Sequence, residues 1–544
     1  MTFDSYSVFR VGGAFLALFA LLKLVHKLYQ DWTSPMNMLQ GPKRQNWLFG
    51  NMKQAWDDDT LSTLDKWFAQ YGSVIQAHGV MGERYLMTID PKALNRVLTN
   101  TNVYGKSEGT RYNLSQILGE GVLVTEGDKH RQQRRVMNPA FGAPQVRELT
   151  EIFVNKSNLL RDLLMDEVKD SKDKNVNIAP WLNKMTLDVI GLAGFHYKFD
   201  ALTSDAEKNE LNVAFSRLFS LSTTGSFLTI ARSLFPIFRL LPMKRDIDSK
   251  VSRNAMARIG KKLLSDSRAA VLAENSTVEK STWKGKDLLS LLMKANMASD
   301  LAPDLRMSDE DVLAQVPTFL VAGHETTATA TMWALFALTQ APEVQKKLRA
   351  ELLSVSTDTP SMDELSELPY LDAVVREVLR LHAPVPGTMR QAMEDDILPL
   401  SKPFVDKYGK THDSLFVRKG TRVRVPILAI NRTETIWGPD AKEFKPERWL
   451  DSSVPQAAHA IPGVWGHMLT FLGGPRACIG YRFSIVELKA LLFALVPAFE
   501  FELGVPPEEI IKKALIVQRP VVKSEKSKGN QLPLKIRPVQ MDKY

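Results

Sequence analysis

The stretch "FLGGPRACIG", residues 471–480, contains the one cysteine of a chain of 544 residues. Glycines surround Cys478, and Gly474 and Gly480 lie close to it on either side. Glycine allows another group to approach the backbone closely, so we expect these two residues to leave room for a ligand beside the sulfur. From Tyr481 onward, apolar side chains recur at helical spacing, which predicts a buried helix.

The position of Cys478 just before this helix restricts its chemistry. Backbone N–H groups and the dipole at a helix N-terminus favour a thiolate, which is either a nucleophile or a metal ligand. A nucleophile needs a neighbouring base; His459 and His467 lie upstream in loops, and no pattern pairs them with the sulfur. Arg476 is suited to binding an anion. The alternative is a small buried hydrophobe, the usual state of a lone cysteine.

A second stretch, "FLVAGHETTATATMWAL" at residues 319–335, predicts an apolar core helix with polar exceptions. Glu325 lies among apolar residues, where an unpaired carboxylate is costly. Ala322 and Gly323 are small, as expected where a flat ligand lies against the helix. The Thr326 hydroxyl can donate to the Ala322 carbonyl four residues earlier. An acid next to an alcohol predicts a route for protons to a bound oxidant.

Two further motifs carry charged side chains at helical spacing. Glu377 and Arg380 in "VVREVLRLHAPVPGTMR" share a helix face, and flanking apolar residues predict a buried pair with Arg448 of "FKPERW" as a third member. We assign this network a structural role.

In "EGDKHRQQRRVMNPAF", His130 and Arg134 also share a face. A solvated basic helix is the ordinary interpretation. Together with Arg390 and Arg476, however, they could bind two carboxylates.

Composition excludes several classes of protein. A single cysteine rules out an intrachain disulfide framework and multi-cysteine metal sites. The net charge of +9 is spread along the chain without a basic patch interleaved with aromatics, so nucleic acid is not an expected partner. An acidic protein or an anionic membrane surface suits this charge better. The absence of a Gly-rich phosphate loop means that redox chemistry would need electrons from another protein.

The chain divides into four predicted segments. Residues 1–28 contain an apolar run at 11–22 followed by lysines, which predicts an uncleaved membrane anchor with the body in the cytosol; a cleaved signal peptide is the alternative. Residues 29–50 form a Pro/Gly hinge, 51–510 a catalytic domain, and 511–544 a basic tail. Helical periodicity dominates to about Leu381, with β-like pieces at 76–80 and 85–88, and Pro317 predicts a bend. Turns and short strands follow Pro384, so the expected fold is mainly α with a small β region.

In the order and spacing of these motifs, the sequence resembles the cytochrome P450 family of haem-thiolate monooxygenases, and most of all its fungal microsomal members. Residues 471–480 resemble the family's cysteine signature, and "AGHET" at 322–326 resembles its oxygen-activating helix. Glu377, Arg380 and "PERW" match its Glu-x-x-Arg pair and the completing arginine, and "QGPKRQNWLFGN" at 40–51 is similar to its Pro-rich hinge. One departure is His130, where the family usually has tryptophan; its charge would add pH sensitivity.

The resemblance implies a function and a set of roles. Cys478 would be the axial iron ligand of haem b, with Phe471 packed beside the thiolate and Gly474 and Gly480 in the haem-binding loop. Glu325 and Thr326 would deliver protons during oxygen activation. The propionate-binding side chains would be His130, Arg134, Arg390 and Arg476.

The resemblance also implies partners and a location. Electrons from NADPH would arrive through NADPH-cytochrome P450 reductase, with cytochrome b5 as a possible second donor, docking on the basic face near the cysteine loop. The body would face the cytosol from the endoplasmic reticulum membrane and oxidise a lipophilic substrate. Pocket-lining segments would follow Tyr104 and include residues 215–238, 318–326, 385–389 and 515–516.

Alternative functions remain open at the level of sequence. A haem-thiolate isomerase or dehydratase would need no O2, although such relatives tend to lose the acid–alcohol pair that Glu325 and Thr326 provide. A membrane-tethered haem or lipid carrier would bind without turnover.

Overall fold

The computed structural model describes most of the chain. The described ranges are 29–52, 62–169, 174–203, 236–240, 244–274, 287–297, 306–450, 453–514 and 516–539, with a few single residues between them. Predictions that concern the other residues, including nearly all of the pocket-lining segment 215–238, lie outside this description.

Helices form most of the described structure, as predicted. They are α1 Thr63–Tyr71, α2 Pro91–Thr99, α3 Glu108–Leu118, α4 Gly127–Met137, α5 Ala143–Val168, α6 Ile178–Phe195, α7 Lys244–Glu274, α8 Leu288–Met297, α9 Asp309–Leu313, α10 Gln315–Gln340, α11 Pro342–Leu353, α12 Met362–Ser366, α13 Pro369–Leu381, α14 Ile427–Ile430, α15 Glu434–Trp437 and α16 Tyr481–Ala498. Local sequence explains several of their ends. Asp90 caps α2 by accepting from the Ala93 N–H, and Ser361 with Glu364 forms a capping box at α12.

In the part of the chain that the structure describes, short strands make up four small sheets. The strands are β1 Val74–His78, β2 Arg84–Thr88, β3 Tyr104–Gly105, β4 Asn175–Asn177, β5 Thr388–Ala392, β6 Asp396–Val405, β7 Thr411–Val417, β8 Arg422–Val425, β9 Phe499–Leu503, β10 Ile510–Ala514, β11 Gln518–Val522 and β12 Pro533–Pro538. The largest sheet has the order β1-β2-β8-β5-β3. Its β2–β8 pair is parallel and the other pairs are antiparallel. The predicted β-like pieces correspond to β1 and β2.

The core is built around α10, which packs on α6 and α16, while α16 also packs on α5. The apolar sequence of α10 explains this position, because a helix that is apolar on all sides must be buried on all sides. Helical structure is interrupted at Ala314, between α9 and α10. Pro317 has no N–H to donate to the carbonyl of Leu313, so the predicted bend takes the form of a break between two helices.

The C-terminal segment is not the separate tail that its charge predicted. The proposed boundary at 510 falls inside β10, which pairs with β11. Further along, β12 pairs on one side with β9 and on the other with β4. Its inward side chains Leu534 and Ile536 are fully buried. Buried apolar and outward basic side chains alternate along β12. The net charge of the segment does not show this alternation, so the strand was not predicted.

The predicted anchor at residues 1–28 lies mostly outside the described residues. Its described members Leu18, Leu21, Leu22 and Val25 are helical and exposed. Within the described part of the chain, no helix combines the length and the apolar character needed to cross a bilayer. The anchor therefore stays a prediction.

Candidate active site

The loop before α16 holds Cys478 in a fixed position. The Cys478 N–H donates to the Phe471 carbonyl at 2.8 Å, and the Ala477 N–H donates to the Gly474 carbonyl at 3.0 Å. The Phe471 ring packs edge-on against Trp465 and tilted against Tyr481, with ring centroids 5.7 and 6.0 Å apart. The loop is thus closed by its own backbone and supported by aromatic packing.

The electrostatic environment of Cys478 differs from the prediction. Solvent reaches the residue, although the surrounding protein removes part of the water from its thiol. This loss of water raises the pKa of the Cys478 thiol, against the opposing effects of the Gly480 N–H and of Arg134. The helix start therefore does not by itself make the thiolate. Coordination to a metal would do so, because a coordinating thiol is deprotonated.

The glycines of the loop have different reasons to be glycine. Gly474 has φ of +70°, and a Cβ there would lie 2.4 Å from the Leu98 carbonyl oxygen, so the residue serves the packing of α2 against the loop. Gly474 therefore has a packing role of its own, and the expectation that it borders a ligand stays a prediction. At Gly480, in contrast, φ is −90° and a Cβ would lie 3.7 Å from the Phe141 ring. Nothing among the described residues requires glycine at 480, which fits a ligand lying beside it.

The predicted carboxylate-binding residues meet around the start of α4. Arg476 donates to the Thr125 carbonyl at 3.3 Å and forms an ion pair with Glu126. Lys106, which the sequence analysis missed, binds the same carboxylate at 3.3 Å. Arg390 is buried, and its pKa is lowered to about 10 by burial and by Arg476.

Positive charge exceeds negative charge in this cluster. The pKa of Lys106 is lowered to about 7, by burial first and then by the charge of Arg476, with Arg390 adding a smaller effect. Glu126 is the carboxylate that acts on all three of these cations. The excess charge suits a ligand that brings carboxylates of its own. The sequence gave no sign that Lys106 and Glu126 pair. Lys106 follows β3 and Glu126 is the N-cap residue of α4, so no helical spacing relates the two residues.

His130 and Arg134 lie next to this cluster with different roles. Burial, Arg476 and Lys106 lower the pKa of His130 to about 3, so the imidazole is neutral at physiological pH. The expected pH sensitivity from a charged His130 is therefore wrong. Arg134 donates to the Ala477 carbonyl at 2.7 Å and to Asn138 at 2.8 Å, which places its guanidinium beside the cysteine loop.

Helix α10 presents a narrow accessible face. Ala322 and Thr326 are partly accessible, as are the neighbouring Val321 and Gly323, and the Thr326 hydroxyl donates to the Ala322 carbonyl at 2.6 Å. The predicted back-bond therefore forms, while the helix remains continuous. Gly323 packs differently from the expectation, since a Cβ there would lie 2.8 Å from Ile190 of α6. Gly323 thus serves helix packing, although it is partly accessible like Ala322.

Glu325 is buried but has a counter-charge that the sequence analysis missed. Arg519 of β11 forms an ion pair with its Oε1 atom. Burial raises the pKa of Glu325, and Arg519 opposes this effect. The signal available in the sequence was the single arginine in the apolar run "LIVQRPVV".

Glu377, Arg380 and Arg448 form a buried network. Arg380 donates to both Glu377 oxygens, at 2.8 and 2.7 Å, and the Nε atom of Arg448 lies 3.5 Å from the same carboxylate. The Trp449 indole completes the shell at 2.9 Å. Both partners of the Glu377–Arg380 pair are fully buried, which is what the flanking apolar residues indicated.

An aromatic pair links the cysteine loop to α10. The Phe141 ring that faces Gly480 packs edge-on against Phe319 of α10, with centroids 5.5 Å apart. On the opposite side of the loop, a cleft of about 720 Å³ is lined by α4 and by Gly474 and Pro475. Its lining includes the exposed Arg131 and Arg135.

Comparison with known proteins decides what this arrangement belongs to. The family model described as "Cytochrome P450" matches residues 39–524. The chain belongs to the cytochrome P450 family. It is 53% identical over 531 residues to cytochrome P450 monooxygenase 205 of Postia placenta, covering 97% of both chains. It is 37% identical to cytochrome P450 monooxygenase claO of Ampulloclitocybe clavipes, covering 96% of this chain and 97% of that protein. The prediction of a P450 monooxygenase is confirmed at this level.

The site residues fit the haem that the cytochrome P450 family uses. Haem carries two carboxylates, which suit the excess positive charge of Lys106, Arg390 and Arg476, and iron that takes an axial thiolate. The accessible Cys478 thiol and the space beside Gly480 provide the second requirement. His459 and His467, the histidines considered for a thiol nucleophile, lie against each other with ring centroids 4.0 Å apart and planes tilted by 33°.

Proposed function

We propose that this cytochrome P450 inserts one oxygen atom from O2 into a lipophilic organic substrate, using electrons from NADPH that a reductase supplies. One observation carries the proposal: the accessible thiol of Cys478 is held on a closed loop that connects, through Phe141, to the accessible Ala322–Thr326 face of α10. A haem-thiolate group bound there would supply the oxygen chemistry.

The protein side chains then have separable tasks. Lys106, Arg390 and Arg476 hold the carboxylates of the group and fix its orientation. Thr326 and Glu325 hold and move protons at their hydroxyl and carboxyl oxygens. The presence of this acid–alcohol pair favours the monooxygenase over the isomerase or dehydratase alternative, which does not consume O2.

A lipophilic substrate is supported by the accessible run at residues 385–389. These residues are partly accessible, although Pro384 before them and Arg390 after them are buried. Ile516 at the tip of the β10–β11 connection is 54% exposed. Apolar pocket walls bind substrates by burying apolar surface, and they select a class of lipophilic molecules more than one particular substrate.

The electron donor is proposed to dock at the cleft beside the cysteine loop. Exposed Arg131 and Arg135 give this face positive charge, which attracts the acidic surface of a reductase such as NADPH-cytochrome P450 reductase, with cytochrome b5 as a second donor.

The apolar run at 11–22 supports an anchor in the endoplasmic reticulum membrane with the body in the cytosol. Alkaline carbonate extraction of microsomes tests the anchor, and release of the full chain into the supernatant would contradict it.

The reduced protein under CO tests the core of the proposal. Thiolate-ligated haem shifts the Soret band far to the red, and Cys478→Ala is expected to abolish that shift because no second cysteine exists. The experiment compares the spectra of purified wild type and Cys478→Ala at equal protein concentration. An unshifted band in wild type, or identical spectra of the two proteins, would overturn the proposed function.

A further inference from the structure

The carboxylate of Glu325 is held by a residue from a distant part of the chain. Arg519 lies in β11, and both its Nε and one terminal nitrogen contact the same oxygen, Oε1 of Glu325. The Glu325 side chain is 6% exposed and that of Arg519 is 23% exposed. The pair therefore lies at the border between the core and a more accessible region.

The strand that carries Arg519 is tied firmly to the core. The neighbouring Gln518 donates its backbone N–H to the Pro384 carbonyl at 2.8 Å and accepts from the Trp333 indole of α10 at 2.9 Å. The Gln518 side chain also donates to the Ala383 carbonyl. Since β11 pairs along its length with β10, the position of Arg519 is set by the whole C-terminal hairpin.

Arg519 opposes the effect of burial on Glu325. Burial alone favours a neutral carboxyl, and Arg519 is the charged group that acts in the other direction. The adjacent His324 does not contribute charge, because burial lowers its pKa to about 4 and its Nδ1 lies 2.6 Å from the Leu320 carbonyl oxygen. Truncating one partner of such a pair leaves the other charge poorly compensated.

We propose that Arg519 is the positioning residue of Glu325: its ion pair holds the carboxyl group on the β11 side of α10 and favours the charged form, so that proton transfer through Glu325 depends on the C-terminal hairpin. This inference rests on the proposed function, since it assigns control over the acid of the proposed proton route. It assigns no contact between Arg519 and the reacting atoms. The hairpin also carries the exposed Ile516, so one element connects the accessible region with the proton-carrying acid.

Infrared difference spectroscopy tests the positioning role without catalysis. Arg519→Gln removes the charge, so one carboxylic-acid C=O band is expected to appear at neutral pH, and it should be absent from Arg519→Gln/Glu325→Gln. Arg519→Lys keeps the charge and should not show the band. Other protonated carboxyls occur in every variant and cancel in the difference. Absence of a new band in Arg519→Gln would overturn the proposal.

The second measurement is coupling, the fraction of NADPH oxidation that leads to product. The fraction of NADPH that yields product is expected to fall several-fold in Arg519→Gln, because the acid of the proton route is no longer held in place. Arg519→Lys should restore most of it. In a Glu325→Gln background, Arg519→Gln should change coupling no further, whereas a merely structural role would lower it in both backgrounds.

A matched control separates this effect from a general change in the hairpin. Lys513 lies opposite Arg519 in the β10–β11 register and is exposed, so Lys513→Gln removes the same charge from the same hairpin and should leave coupling and the infrared spectrum unchanged. An equal loss of coupling in Lys513→Gln would overturn the proposal. If wild type lacks the red-shifted CO band, the proposed function fails, while the infrared comparison still reports on the Arg519–Glu325 pair.

Discussion

Two opposing effects act on the pKa of the Cys478 thiol, and the sequence reveals only one of them. The sequence shows a helix start, whose N–H groups lower a thiol pKa. In the folded chain the loss of water around the thiol is the larger effect, so the pKa rises. For Glu325 burial also raises the pKa, and Arg519 opposes it. At the scale of single residues, the surroundings therefore decide the charge.

Glu487 of α16 extends this point to a carboxyl with no counter-charge. The residue is buried, and neither of its oxygens has a hydrogen-bond partner among the described residues. Burial raises the pKa of Glu487 well above its usual value; Thr327 lies near enough to oppose this slightly, although no hydrogen bond of ordinary length forms. Above the unfolded pKa of about 4.3, the unfolded chain releases a proton that the folded protein retains, so stability falls as pH rises.

Removal of this carboxyl should therefore stabilise the protein in a pH-dependent way. Glu487→Gln cannot release a proton, and its melting temperature is expected to exceed that of wild type by more at pH 8 than at pH 5. Thermal denaturation of both proteins at the two pH values measures the difference. Glu508→Gln, which changes an exposed carboxylate, serves as the control. A gain that is equal at both pH values would contradict the assignment.

At the scale of elements, buried charge joins α13 to the segment around Pro446–Trp449. Glu377 lies between Arg380, Arg448 and the Trp449 indole, and the Arg380 guanidinium also donates to the Asn431 carbonyl at 2.9 Å. These contacts fix a helix against an irregular segment that has little regular structure of its own. The network therefore positions elements and takes no part in the proposed chemistry.

Breaking this network should be costly because it leaves buried charge without a counter-ion. Glu377→Gln keeps the shape of the side chain and leaves the buried Arg380 guanidinium without its carboxylate, while Arg448 retains its ion pair with Asp440. We therefore expect a loss of about 3 to 5 kcal/mol in the free energy of unfolding. Urea denaturation measures it. Arg147→Gln breaks an exposed ion pair with Asp363 and should show no measurable change. Similar losses in both variants would show that burial of the pair is not what matters.

At the scale of the whole molecule, charge is distributed unevenly around the cysteine loop. The cleft beside α4 exposes Arg131 and Arg135, whereas the arginines that bind carboxylates are buried or partly buried behind it. The same loop thus separates a surface suited to an acidic protein from an interior suited to an acidic ligand.

Reversal of an exposed charge in this cleft should weaken electron transfer from the reductase. For Arg135→Glu we expect the apparent KM for the reductase to rise roughly fivefold, or about 1 kcal/mol, and the effect should diminish at high salt. Steady-state NADPH oxidation against reductase concentration measures it. Lys402→Glu, an exposed charge on β6, is the matched control. If Lys402→Glu raises KM equally, the cleft is not the docking surface.

Local patterns in the sequence were sufficient for the helical fold, the start of α16 at Tyr481, the Thr326 back-bond and the Glu377–Arg380 pair. Each depends on residues within four positions of one another, where helix geometry fixes the contact. The same reasoning did not foresee the packing roles of Gly474 and Gly323. A glycine indicates close approach but does not identify the approaching group, which proved to be the Leu98 backbone and the Ile190 side chain.

The sequence by itself determined which helices form and that Cys478 precedes one of them, because these properties follow from periodicity and local geometry. Only the tertiary structure decided that Lys106 and Glu126 join the carboxylate-binding cluster, that Arg519 pairs with Glu325, and that the basic C-terminal segment forms strands. These contacts join residues that are far apart in the chain. Their energies depend on burial and distance, which exist only once the chain has folded.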